Sequence, residues 1–133
     1  MRLPKRFKGE SLTDYAVRLA DIYSKHHKIE ERKNKGQFFT PKEVSIFMAK
    51  LVSLNKHEIK VLDPGAGTGI LVASLCEVMK SINQDGNIKM IIDAYENNQN
   101  LIPLLEAVLQ ECLNEMNNLD YDVEYNIYEQ DFI

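Results

Sequence analysis

Between Ser11 and about Lys33, apolar residues recur at Leu12, Tyr15, Ala16, Leu19, Ile22 and Tyr23. That spacing predicts a helix with one buried face, and Ser11 or Thr13 can cap its start. Its tail, Lys25 to Lys35, is strongly charged and contains His26-His27. Adjacent residues on a helix point about 100° apart, so these histidines cannot share one metal and read as surface residues. After Gly36, the stretch Gln37-Phe38-Phe39-Thr40-Pro41 reads as a loop. Thr40-Pro41-Lys42-Glu43 predicts a second helix, with Thr40 as cap, Pro41 in the first position and Glu43 closing a capping box. Val44, Phe47, Met48, Leu51 and Val52 supply its apolar stripe, which ends near Asn55.

From there the pattern changes. Ile59 to Leu62, apolar but for Lys60, is a short run expected as a buried strand. Asp63-Pro64-Gly65-Ala66-Gly67-Thr68-Gly69 is a tight turn, and Ile70 to about Ile82 the next helix. Asn83 to Asn87 is a turn, and Ile88 to Tyr95 a second strand. A long helix follows from Asn98 to about Met116, with Pro103 early enough to be tolerated. Asp122 to Tyr128 places Val123, Tyr125 and Ile127 on one face, as a third strand does. Strands joined by helical crossovers form a parallel sheet with right-handed connections. The expected fold is therefore α/β: part of a doubly wound parallel sheet of about three strands, preceded by N-terminal helices. In such sheets ligands sit at the carboxyl ends of the strands. Asp63 to Gly69, Tyr95-Glu96 and Asp131-Phe132 all fall on that rim.

Composition adds bounds. The chain of 133 residues is 44% hydrophobic and 27% charged, an ordinary balance for one domain. No apolar run is long enough to span a bilayer, and MRLPKRFKGE has no apolar stretch behind it to make a secretory signal. Cys76 and Cys112 lie far apart with no Cys-x-x-Cys or Cys/His cluster. This argues against a disulfide framework and a structural zinc, and makes a reducing cytosol the expectation. The net charge of -4 hides a split: residues 1–60 carry 14 Lys/Arg against 7 Asp/Glu, and residues 61–133 carry 2 against 13. Such a split suits a nucleic-acid arm on an acidic body, or two parts of one fold attracting each other.

The glycine turn carries the most chemistry. Glycine lets bare backbone approach a ligand. A dinucleotide site would read Gly-x-Gly-x-x-Gly, whereas Gly65, Gly67 and Gly69 stand two apart. A phosphate loop would close on Gly-Lys-Ser/Thr, whereas Gly69 is followed by Ile70-Leu71. Asp63 suits a cationic amine or sulfonium rather than a phosphate. Glu96 can accept from both hydroxyls of a ribose. Asp131 can accept from the exocyclic amine of an adenine, with Phe132 covering the ring.

Together these residues resemble the S-adenosylmethionine pocket of class I methyltransferases. Gly36-Gln37-Phe38-Phe39-Thr40-Pro41, ahead of that pocket, is similar to the element before the glycine loop in N6-adenine DNA methyltransferases of restriction–modification systems, including type I modification subunits. The resemblance runs from about Arg32 to Phe132. It implies a Rossmann-like fold divided into a basic helical segment, 1–35, and a cofactor-binding domain, 36–133. It implies S-adenosylmethionine as cofactor and no metal. The implied contacts are Phe39, Thr40, Asp63, Pro64, Gly65, Ala66, Gly67, Thr68, Gly69, Glu96, Asn97, Asp131 and Phe132. DNA is the implied substrate, a restriction or specificity subunit the implied partner, and the cytoplasm the implied location, with no membrane. The family's catalytic element, Asn or Asp followed by Pro-Pro and an aromatic residue, is expected beyond Ile133, and the chain contains no Pro-Pro. No catalytic residue is assigned, and this chain alone is not expected to methylate. An RNA, protein or small-molecule methyltransferase, or a non-catalytic remnant or subunit, remains the alternative. The glycine spacing disfavours a nicotinamide oxidoreductase. An open sheet edge would favour self-association, and DNA binding by this piece should be weak and indifferent to sequence.

Overall fold

In the computed structural model the described residues are 2–27, 39–53, 57–82 and 88–133. The first helix, α1, spans Leu12–His26, with Ser11 as its cap: the Ser11 hydroxyl accepts from the Asp14 N–H. Thr13, the other candidate cap, is buried instead. The helix stops well short of Lys33, because His27 turns to extended backbone. The His27 ring stacks on Tyr23 with centroids 3.9 Å apart, and its Nδ1 sits 2.8 Å from the Tyr23 carbonyl. His26 is exposed as expected, but His27 is half-buried against the helix that it ends. The charged tail from Lys28 and the Gly36-Gln37-Phe38 part of the loop lie outside the described residues.

Helix α2 spans Lys42–Lys50 and begins one residue later than its sequence suggests. Pro41, not Thr40, occupies the cap position, with φ −60° and ψ 147°, and no side chain caps the helix. Proline offers no side-chain acceptor for the capping role. The acidic partner comes from outside: Asp14 of α1 pairs with Lys42 at 2.6 Å. The larger departure concerns the apolar stripe. Val44, Phe47, Met48, Leu51 and Val52 point outward, with Phe47 63% and Leu51 70% exposed, while Ser45 and Ala49 are buried. The reason is steric. Small residues one turn apart let α2 approach its neighbour closely, and the large side chains cannot share that face.

That neighbour is α3, Ile70–Lys80, which follows strand β1, Glu58–Asp63. The expected turn Asn83–Asn87 and the stretch around Asn55 lie outside the described residues. Strand β2, Ile88–Tyr95, is as expected from the sequence. Helix α4 starts later than expected, at Ile102, and runs to Asn117 with Pro103 in its first turn. Asn98 to Leu101 forms a hydrogen-bonded turn ahead of it. Strand β3 is Tyr121–Tyr128.

The sheet has the order β1-β2-β3, all parallel, with Asp63 level with Ala94 and Tyr95 level with Tyr128. This is the α/β open sheet that the alternation of strands and helices predicts. Met90, Ile92 and Ala94 of β2 are fully buried, with Ile59 of β1 and Val123 of β3 beside them. The intervening residues Lys60, Leu62 and Lys89 face outward on the other side. Helix α4 packs on β3, and α1 lies across α3 and α4 as a further layer. No described helix is long and apolar enough to cross a membrane.

A chain of buried hydroxyls ties α1, α2 and α3. Ser45 Oγ donates to the Lys42 carbonyl at 2.7 Å, so its single proton is spent. Ser74 must therefore donate to Ser45 across 2.8 Å, and Thr13 to Ser74 across 3.1 Å. All three are at most 2% exposed, so the order of donation is fixed by satisfaction alone. The N-terminal arm is held separately. Arg6 pairs with Glu115 at 2.5 Å, joining the basic half to the acidic one, while Arg18 pairs with Glu10 at 2.9 Å and covers the Phe7 ring.

Ser74→Ala removes the only described acceptor of the Thr13 hydroxyl and the donor to Ser45. It should cost about 1–3 kcal/mol in urea unfolding. Thr13→Val combined with Ser74→Ala should cost less than the sum of the two single changes, because the orphaned donor is gone. Strict additivity would show that the chain is not a coupled unit.

Candidate functional site

Strand β1 ends on Asp63, and the chain must then reverse into α3 so that β2 can run parallel to β1. Pro64 and Gly65 lie exposed at the bend, and Ala66 is buried, its N–H bonded to the Tyr95 carbonyl at 2.9 Å. The three glycines serve three different needs. At Gly69, with φ +85°, a Cβ would stand 3.2 Å from Leu105 of α4, so this glycine serves helix packing. At Gly67, with φ +59°, it would stand 3.3 Å from the Phe39 ring. At Gly65 nothing among the described residues lies within 4 Å. Neither conformation nor a described neighbour demands glycine there; what its bareness leaves is room.

Asp63 sits beside that room. It is 4% exposed, takes a hydrogen bond from the Gly65 N–H, and its Oδ2 has no partner among the described residues. Burial pushes its carboxyl above the usual carboxylate range, the Gly65 N–H opposes this, and the charge of Glu96 adds to the rise. A buried carboxylate oxygen without a donor is expensive unless something cationic or protic completes it.

Glu96 follows β2 and is 8% exposed. Its Oε1 accepts from the Gly67 N–H and its Oε2 from the Asn98 N–H, each at 2.9 Å. The carboxylate thus holds the glycine turn to the loop after β2. Thr68 is wholly buried, and its hydroxyl donates to the Ala16 carbonyl of α1 at 2.9 Å. Its side chain is committed inward, so its offering to a ligand is limited to backbone. Phe39 packs edge-on to Tyr23, with centroids 5.9 Å apart, and covers Gly67; Thr40 is half-buried next to it.

The third part of the rim is open. Asn97 Nδ2 donates to Asp131 Oδ1 at 2.5 Å, linking the exits of β2 and β3. Phe132 is 49% exposed and meets Tyr95 edge-on at 5.1 Å, while Tyr95 stacks on Tyr128 at 4.6 Å. The structure therefore gathers Phe39, Asp63, Gly65, Gly67 and Glu96 in one place, and joins Asn97 to Asp131 on the same rim. Among the described residues, no cluster of His, Cys, Asp and Glu could hold a metal.

Two participants were not evident from the sequence. Asn98 lies within the Asn97-Asn98-Gln99-Asn100 run; its side-chain oxygen accepts from the Asn100 N–H at 2.9 Å, the turn habit of asparagine. That habit was a usable signal. Tyr23, which Asn98 Nδ2 reaches at 2.6 Å, looks like any other core position of α1.

A family model described as N-6 DNA Methylase matches residues 18–130. The Type II methyltransferase M.AccI of Acinetobacter calcoaceticus is 39% identical over 61 residues, which are 46% of this chain and 11% of that protein. The Type II methyltransferase M.BsuBI of Bacillus subtilis is 45% identical over 56 residues, 41% of this chain and 11% of that protein. The matched part of the chain thus spans about a ninth of the length of these curated relatives.

Because the folded-state carboxyl of Asp63 titrates above its unfolded value, the protonated form favours folding. That contribution is present below the unfolded pKa and is lost as pH rises through the folded one. Asp63→Asn should therefore stabilise the ligand-free protein at pH 7, by about 1 kcal/mol, and give no gain at pH 3. Thermal melts at the two pH values check this; an equal effect at both would mean that the carboxylate carries no burial cost.

Proposed function

The chain belongs to the N-6 DNA methylase family, and on that premise we propose that it forms the S-adenosylmethionine-holding portion of an enzyme that methylates the N6 amine of adenine in DNA. The observation that carries the reading is the buried Oδ2 of Asp63, without a partner among the described residues, next to Gly65, where no described atom stands within 4 Å of a would-be Cβ. An ammonium group would complete that oxygen and bring the carboxyl back to its ionised form. Bound there, S-adenosylmethionine would supply a sulfonium-activated methyl group, given up to a nitrogen lone pair as sulfur leaves as a neutral thioether.

The chain's own residues bind and orient. Asp63 takes the amino-acid end, with Phe39 and Thr40 beside it, and the backbone of Pro64, Gly65, Ala66, Gly67, Thr68 and Gly69 forms the floor. The Glu96 oxygens keep lone pairs beyond those given to Gly67 and Asn98, and these accept from the ribose hydroxyls. Asn97, Asp131 and Phe132 receive the adenine. None of these groups is a nucleophile or base for the target amine, so the contribution of this portion is positioning. A target adenine within a duplex must be flipped out before its amine can meet the methyl group.

DNA, and a restriction or specificity subunit, are partners of the whole enzyme in this reading. For this portion, Arg6, Arg18 and Lys42 are spent on internal pairs, which supports weak DNA contact at most. The outer edge of β1 has no described strand beside it, and we assign any self-association to that edge.

Calorimetry with S-adenosylmethionine should show binding, and Glu96→Ala should weaken it by about 1–3 kcal/mol through the lost charged hydrogen bonds. Absence of binding to the unaltered protein would refute the reading; an unchanged affinity in the variant would remove Glu96 from the site.

A further inference from the structure

The hydrogen bonds around the glycine turn close into a ring that passes through α1. Starting from that helix, Thr68 Oγ1 donates to the Ala16 carbonyl at 2.9 Å. One residue back, the Gly67 N–H donates to Glu96 Oε1 at 2.9 Å. Glu96 Oε2 accepts from the Asn98 N–H at 2.9 Å, and Asn98 Nδ2 donates to the Tyr23 hydroxyl at 2.6 Å. Tyr23 lies seven residues after Ala16, two helical turns along the same face of α1. A second path runs beside the polar one: the Tyr23 ring meets Phe39, and Phe39 covers Gly67.

We propose that α1 is a positioning element for the nucleoside half of the site, with Tyr23 acting through Asn98 to aim the Glu96 carboxylate. This rests on the reading of the rim as a methyl-donor site. The argument is one of acceptor capacity. A carboxylate offers about four lone-pair sites. Two are occupied by the Gly67 and Asn98 N–H groups, and the directions of those two donors decide where the remaining lone pairs point. The Asn98 N–H is in turn fixed by its own side chain, held between the Asn100 N–H and the Tyr23 hydroxyl. Asn98 is 7% exposed and Tyr23 1%, so without the hydroxyl the amide has no ready solvent replacement. Tyr23 is 1% exposed and meets Phe39 and Asn98, so it acts on the Glu96 carboxylate through its neighbours.

The test is Tyr23→Phe, which keeps the ring and removes only the hydroxyl. The probes are S-adenosylhomocysteine and its 2′-deoxyribose analogue, titrated into both proteins. In the unaltered protein the missing hydroxyl should lower affinity about tenfold. In Tyr23→Phe that discrimination should collapse: S-adenosylhomocysteine weakens by about the same factor while the analogue is unchanged. A merely structural role would weaken both probes equally, and that result overturns the proposal. A second readout needs no ligand. Exchange of the Gly67 amide hydrogen should accelerate in Tyr23→Phe, while amides in the core of β2 keep their protection. Asn98→Ala should reproduce the effect if Tyr23→Phe does not fold. If neither probe binds the unaltered protein, the methyl-donor reading fails, and Gly67 exchange still decides whether Tyr23 holds the turn; an unchanged rate in both variants refutes it.

Discussion

One buried carboxylate, that of Glu96, accepts from two backbone N–H groups that the chain would otherwise leave unpaired at a sharp turn. Much of the candidate site depends on this. Gly67 lies in the left-handed region within a turn, outside the helix and strand ladders that would pair its N–H. Asn98 opens the turn ahead of α4 and has the same difficulty. A carboxylate placed between them meets both demands and spends only part of its capacity. What remains is what a ligand's hydroxyls would use. The residue that shapes the turn is thus also the one best placed to read what sits on it.

Asp63 shows the opposite economy. It is buried with one oxygen unmet among the described residues, and burial pushes its carboxyl upward. Two acidic residues at the ends of adjacent strands have therefore been given different work. Glu96 is hydrogen-bonded and holds the frame, while one oxygen of Asp63 has no partner among the described residues. In the proposed reading that contrast has a use, since a donor with a cationic amino-acid end and a ribose would ask for one carboxylate of each kind.

The helical layer is held by contacts of a different sort. Ser45 and Ala49 of α2 meet α3 closely, and the Thr13, Ser74 and Ser45 hydroxyls run in one direction between the three helices. Because this chain ends on the Lys42 carbonyl, it fixes the start of α2 directly after Thr40 and Pro41. The loop over the glycine turn is anchored on its described side by that bond and by Phe39 against Tyr23. Packing on small residues also turns Val44, Phe47 and Leu51 outward, a feature no count of apolar residues would suggest.

The sequence by itself determined the order of strands and helices, the parallel open sheet and the positions on its rim. These follow from local periodicity, from the glycine turn and from the handedness of crossovers, none of which needs knowledge of distant contacts. Strand β2 was legible to the residue because its mainly apolar run is bounded by the polar stretches Asn83 to Asn87 and Glu96 to Asn98. Asp63 and Glu96 were legible as candidates because they close strands. Only the tertiary structure decided what each does. That Thr68 turns inward to Ala16, that Tyr23 reaches Asn98 across 75 positions of chain, and that Cys112 finds Cys76 as a hydrogen-bonding neighbour are long-range pairings. The same holds for which face of α2 is buried: periodicity marks where a stripe lies, but the partner's shape decides whether large or small residues fill the contact.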